Sequence, residues 1–207
     1  MLYLFNDIEN LNDDFPEREM SLLSLERQEK VQRIRSQSGK KESAAAYLLL
    51  RLALLEGYGI TEIVEFDYLD KGKPLLREYP YIHFSLSHTN NVAACVVSNS
   101  AVGVDVQNIR VVTDKAAKRV LTEEEYEGFR KAYNPDEYFC EIWAIKESYM
   151  KKTGLGMAAA FKKMPVKDIT EIKLFREKNY YCCVSGIHSF DMQVNYIRRE
   201  DFEKLYN

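Results

Sequence analysis

The chain has 207 residues and a mass of 24.2 kDa, enough for one large domain or two small fused ones, and for a core that needs no disulfide or structural metal. Hydrophobic residues make up 46% and charged residues 29%, as in ordinary globular proteins. With 29 basic against 32 acidic side chains and a net charge of −3, the basic excess that marks a nucleic-acid coat is missing, and the longest apolar run, Ala44 to Leu55, is interrupted by Arg51 and too short to span a bilayer.

From Pro16 to Gln37 the pattern is helical, with Leu22, Leu25, Val31 and Ile34 as inward positions. Arg27, Lys30, Arg33 and Arg35 load its second half with positive charge. A second helix is expected over Glu42 to Glu56, ending at Gly57 or Gly59. The alternation over Ile63 to Tyr68 is strand-like, Lys71-Gly72-Lys73-Pro74 reads as a turn, and β-type runs follow at Tyr81 to Ser87, Val92 to Ser98 and Val102 to Ile109.

The second half begins with helical stretches at Lys115 to Val120 and Glu123 to Ala132. Asn134-Pro135 then opens a strong helix, with Asn as N-cap, Pro at the first position and Asp136 and Glu137 in the first turn. It is expected to reach about Lys152 and stop at Gly154. Three β-type segments close the chain, at Glu171 to Arg176, Tyr180 to Val184 and Ser189 to Ile197. Helices followed by strands thus occur twice, which predicts an α+β protein of two similar lobes. Cys95, Cys140, Cys182 and Cys183 form no Cys-x-x-Cys pair, and adjacent Cys182 and Cys183 would face opposite sides of a strand, a poor metal clip. Without a signal-peptide pattern they read as reduced, mostly buried thiols in a soluble, cytoplasmic protein.

Asp105 and Gln107 lie two apart on an expected strand and so share a face. Glu147 and Lys151 lie four apart on the expected Trp143 helix and share another. Oxygen ligands on a strand facing a carboxylate on a helix suit Mg²⁺, which completes its shell with phosphate oxygens and water. On spacing alone, most carboxylates so placed are solvated surface. His88 ends an apolar strand, either bonded to backbone or, with Lys73, Lys30 and Arg27, part of an anion pocket. Two lookalikes fail. Gly39-Lys40-Lys41 lacks both the hydroxyl after the lysine and the upstream glycine of a P-loop. Gly154-x-Gly156-x-x-Ala159 follows a helix, where a dinucleotide fingerprint must follow a strand.

Lys71-Gly72-Lys73-Pro74, Phe84-Ser85-Leu86-Ser87-His88, Gly103-Val104-Asp105-Val106-Gln107 and Trp143-Ala144-Ile145-Lys146-Glu147, with Lys151, Gly154 and Gly156, occur in that order. Together they resemble the 4′-phosphopantetheinyl transferases of the surfactin-synthetase-activating type, within the holo-carrier-protein synthase superfamily, over roughly Glu26 to Met157. The tryptophan-lysine-glutamate block is the most specific part. The resemblance implies Mg²⁺-dependent transfer of phosphopantetheine from coenzyme A to a serine of an apo acyl or peptidyl carrier protein, with release of 3′,5′-ADP. It also implies a monomer with pseudo-twofold lobes at about 1–105 and 106–207 and the site between them. By position, Asp105, Gln107 and Glu147 would hold the metal, and Asp105, Glu147 and Lys151 would carry the chemistry. Arg27, Lys30, Lys73, Pro74, Ser87, His88, Lys146 and Lys151 would bind the donor, and Glu125 matches a further acidic position. Gln107 stands where the family has a third acid, Ser85 where it has Asn, and the basic residue often found early in the second helix is replaced around Glu42. The rival expectations are a non-catalytic carrier- or nucleotide-binding homologue with a decayed metal site, and a phosphoanhydride hydrolase using the same pocket.

Overall fold

A computed structural model describes residues 1–156, 161–186 and 192–206. In chain order it contains strand β1 (Leu2–Phe5), helices α1 (Phe15–Arg18), α2 (Leu25–Arg33) and α3 (Gln37–Tyr58), strands β2 (Phe66–Tyr68), β3 (Pro74–Leu76), β4 (His83–Thr89), β5 (Val92–Ser98) and β6 (Gly103–Asn108), helices α4 (Asp114–Val120), α5 (Glu123–Lys131) and α6 (Pro135–Thr153), and strands β7 (Ile172–Arg176), β8 (Tyr180–Ser185) and β9 (Val194–Tyr196). The α+β class is as expected.

Side-chain alternation builds the layers. One sheet has strand order β4-β5-β1-β9, another β6-β8-β7, and β2 and β3 form a separate hairpin. Tyr3, Phe5, Cys95 and Val97 of the first sheet pack on Leu48, Leu49 and Leu52 of α3. The intervening Leu2, Leu4, Ala94 and Val96 face Val104, Val106, Cys182 and Val184 of the second sheet. Cys183 and Tyr181, on that sheet's far side, meet Cys140, Ala144 and Ile145 of α6. The order is helix, sheet, sheet, helix. Cys182 and Cys183 do point to opposite faces, and all four cysteines are free and buried.

Local chemistry sets the helix ends. Ser36 Oγ accepts from the Gly39 N–H, and Gly59, at φ 67°, closes α3. Arg51 sits within that apolar helix because its two terminal nitrogens donate to the carbonyls of Leu22 and Thr61, which partner most of a buried cation without a carboxylate, although its Nε is buried without a partner. Asn134 caps α6 through the Glu137 N–H, Pro135 follows, and Gly154 ends it at φ 70°.

Four expectations need correction. The single helix expected over 16–37 is interrupted: Ser24 caps α2 and Ser36 caps α3, and the chain between them runs extended at Ile34. Leu25, expected inward, is 73% exposed, because α2 buries the face of Arg27 and Val31, and Leu25 lies about 200° around the helix from Arg27. Leu2–Phe5, for which no strand is expected, is central: β1 pairs antiparallel with β5 and parallel with β9. The final strand covers only Val194–Tyr196; residues 189–191 of its expected span, like Met157 and Ala159, lie outside the described residues. The last segment returns to the first sheet, and Phe202 packs on Phe5 and Phe15.

Candidate active site

Strands β4 and β6, the last turns of α6, helix α2 and the β2–β3 turn surround a two-part cleft. One part, of about 340 Å³, is lined by Arg27, Lys30, Lys73 and Pro74 and by the rings of Phe66 and Phe84. The other, of about 260 Å³, is lined by Ser87, His88, Asp105 and Gln107. Glu147 and Lys151 line both, so the parts share a wall.

Periodicity brings these groups together. On β6, Asp105 and Gln107 share the face opposite Val104 and Val106, which are buried between the sheets. On α6, Trp143, Glu147 and Lys151 recur at four-residue spacing and form one stripe. Gly103 makes the approach of β6 to α6 close enough: a Cβ there would lie 2.0 Å from the Ser148 carbonyl oxygen and 2.4 Å from Lys152 N.

Lys151 Nζ then donates to Asp105 Oδ1 at 2.7 Å and to Ser87 Oγ at 2.9 Å. Ser87 itself donates to Asp105 Oδ1 at 2.8 Å. The other oxygen, Asp105 Oδ2, is buried with no hydrogen-bond partner. Trp143 Nε1 donates to Glu147 Oε2 at 2.9 Å. Burial, and after it the Asp105 charge, pushes the Glu147 carboxyl up to about 7. An orphaned carboxylate oxygen beside a reluctantly ionised carboxyl is a site one positive charge short. With the Gln107 amide on the same face, the donors are all oxygen, which fits a hard dication. Among the described residues no cluster of three or more His, Cys, Asp or Glu side chains forms, as follows from an amide in the third place.

The larger part has the opposite imbalance. Lys30 is held below the ordinary lysine range by burial and then by Arg27. Lys73 is lowered by burial and by Lys152, and Arg27 by burial. Arg27 Nη2 is anchored 3.2 Å from both the carbonyl and the hydroxyl of Ser43, while its Nε is buried without a partner. Cations whose charge is disfavoured by their surroundings are ready for an anionic ligand. Lys73 donates to the Lys152 carbonyl, tying the β2–β3 turn to the end of α6.

Two expected site residues are differently engaged. Lys146 is fully buried and outside the cleft; its Nζ donates to Glu125 Oε2 at 2.6 Å and to the carbonyls of Val120 and Phe161. One residue from Glu147, it lies about 100° away around the helix and cannot share its face. Glu125, its partner, also completes the capping box of α5 and accepts from the Val166 N–H, so the pair braces α5 and the chain after α6. His88 reaches the cleft with Nδ1 3.2 Å from Glu42 Oε2. The anchoring role of Trp143 was open to sequence reasoning through its four-residue spacing from Glu147; the place of Phe66 and Phe84 in the lining of the cleft was not, because the two residues come from separate strands.

Residues 101–195 match the family model of the 4′-phosphopantetheinyl transferase superfamily. A 4′-phosphopantetheinyl transferase of Bacillus subtilis is 30% identical over 146 residues, 69% of this chain and 65% of that protein. The 4′-phosphopantetheinyl transferase Sfp of Bacillus subtilis strain 168 is 28% identical over 152 residues, 72% of this chain and 67% of its own. A third, gsp of Aneurinibacillus migulanus, is 34% identical over 140 residues, 66% of this chain and 58% of its own. The resemblance carried by the motifs is borne out, and the matched stretch spans about 65% of the length of the first of these relatives.

Proposed function

We propose, from the membership of residues 101–195 in the 4′-phosphopantetheinyl transferase superfamily, that the protein transfers 4′-phosphopantetheine from coenzyme A to a serine hydroxyl of an apo acyl or peptidyl carrier protein. The serine oxygen forms a bond to the phosphorus that carries the pantetheine arm. The bond from that phosphorus to the bridging oxygen breaks, and 3′,5′-ADP leaves with the electron pair. Mg²⁺ bound at Asp105 and Glu147, with Gln107 beside them, would neutralise charge on the pyrophosphate.

The chain's own residues divide the remaining work. Arg27, Lys30 and Lys73 provide the cationic wall for the donor's phosphates. Lys151, shared by both parts of the cleft, stands where charge accumulates on the departing phosphate. Glu147, which lines both parts of the cleft, is the carboxylate placed to accept the proton released by the serine. The observation that carries this reading is the Lys151–Asp105–Ser87 cluster, with its unpartnered Oδ2, directly against an undercompensated cationic wall. Retention of Asp105, Glu147 and Lys151 in one cleft favours an enzyme over a binding-only homologue.

The test is incubation with coenzyme A, Mg²⁺ and a panel of apo acyl and peptidyl carriers, read by intact mass. At least one carrier gains a single phosphopantetheine, and its acceptor Ser→Ala variant gains none. Folded protein that leaves every carrier unchanged contradicts the reading.

A further inference from the structure

The two sheets meet along β4 and β6, and among the described residues no backbone ladder joins these strands. Side chains bridge them instead. Ser85 Oγ accepts from the Val104 N–H at 3.1 Å, and Ser87 Oγ accepts from the Val106 N–H at 3.2 Å. Both serines are 6% exposed. They project from one side of β4, two residues apart, and satisfy alternate amides of β6 that would otherwise be buried without partners.

Their chemistry then differs. Ser85 sits two residues before the cluster, whereas Ser87 is part of it. A hydroxyl has one proton to donate and two lone pairs to offer. At Ser87 the proton goes to Asp105 Oδ1, and the lone pairs take the Val106 N–H and Lys151 Nζ. No capacity is left for a phosphate or a ribose hydroxyl. The contact to a bound nucleotide that the family resemblance implies for Ser87 is therefore unavailable to its side chain in this arrangement.

We propose that Ser87 is a positioning residue, a three-way junction that locks Asp105 Oδ1 against Lys151 and leaves Oδ2 as the one oxygen free for a divalent cation. Resting on the metal-dependent transferase reading, this deepens it by naming which oxygen the metal meets and what holds it. Without the hydroxyl, Lys151 and Asp105 can rotate about their own bonds into other pairings, and the fixed free oxygen is lost.

The experiment compares wild type, Ser87→Ala, Ser87→Thr and Ser85→Ala by direct calorimetric titration of Mg²⁺ into donor-free enzyme, together with thermal unfolding and the split between KM and kcat in carrier labelling. Ser87→Ala should weaken Mg²⁺ binding at least about tenfold, in line with the loss of groups that orient metal ligands. It should lower kcat while leaving KM for coenzyme A within about twofold. Ser87→Thr, which keeps the hydroxyl, should restore most of the affinity. Ser85→Ala removes the equivalent amide bond, so it should unfold at a similarly lowered temperature yet bind Mg²⁺ within about twofold of wild type. Unchanged Mg²⁺ affinity in Ser87→Ala, an equal loss in Ser85→Ala, a rise confined to the KM for coenzyme A, or a wild type that binds no Mg²⁺ would each overturn the inference. A wild type that binds Mg²⁺ with the expected Ser87 dependence but labels no carrier would retire the transferase reading and leave the junction standing.

Discussion

At Glu147, burial and the neighbouring Asp105 act in the same direction, both favouring the protonated form. A carboxyl raised from 4.5 to about 7 binds more protons folded than unfolded across that window. Its contribution to stability is therefore full below about pH 4.5, falls as pH rises towards 7, and stays lost above it. The ceiling on that loss is about 3 kcal/mol. In metal-free protein, Glu147→Gln should unfold at nearly the wild-type temperature at pH 5 and several degrees higher at pH 8, a gap that saturating Mg²⁺ should close by stabilising wild type alone. A gap that does not vary with pH would remove Glu147 from the electrostatics of the cleft. The cationic wall makes a different kind of prediction. On the proposed mechanism Lys151 lies beside the bond that breaks, so Lys151→Ala should lower kcat by about a hundredfold or more. Lys30→Ala should chiefly raise the KM for coenzyme A, as measured from initial rates of carrier labelling. At this scale the sequence carried the pairing of Asp105 with Gln107 and of Glu147 with Lys151, because both follow from period. It equally contained the exclusion of Lys146, which helical geometry turns away from Glu147 but which motif resemblance alone would retain.

Among the elements, α6 was the most legible, since Asn134, Pro135 and Gly154 each act locally at its ends. Strands β5 and β8 were legible from their apolar runs. Strand β1 was not: all four of its residues are buried, so a sheet covered on both faces leaves no alternation to read. The break between α2 and α3 was legible, but it falls earlier than expected, because the Ser36 cap starts α3 at Gln37, and the Ser24 cap starts α2 afresh inside the pattern expected to be continuous. Positioning of α6 depends on Gly103, where the strand backbone meets the helix backbone with no room for a methyl group. Backbone atoms cannot rotate aside, so Gly103→Ala must push α6 away from β6. The expected result is a loss of about 2–4 kcal/mol in urea unfolding, together with weakened Mg²⁺ binding from the displacement of Glu147 and Lys151 relative to Asp105. Stability equal to wild type would show that the helix yields without cost.

For the whole molecule, the net charge of −3 hides a segregation that sequence arithmetic cannot see. Arg27, Lys30, Lys73 and Lys151 come from three separate parts of the chain and converge on one cleft, next to two carboxylates of which one has an oxygen without a partner. The sandwich of α3, two sheets and α6 is what brings them together, and the serine bridges between β4 and β6 fix the spacing where the sheets join. No helix among the described residues is long and apolar enough to cross a membrane; the apolar residues of α3 are buried in the core. A cleft so arranged could cleave a phosphoanhydride towards water as well as towards a serine, and the account commits to serine. The most direct measurement follows 3′,5′-ADP release and carrier mass in the same reaction with coenzyme A and Mg²⁺. The prediction is one 3′,5′-ADP for each phosphopantetheine gained, with neither product formed when the carrier serine or Asp105 is replaced by Ala. Release of 3′,5′-ADP without carrier modification, or undiminished transfer by Asp105→Ala, would contradict it.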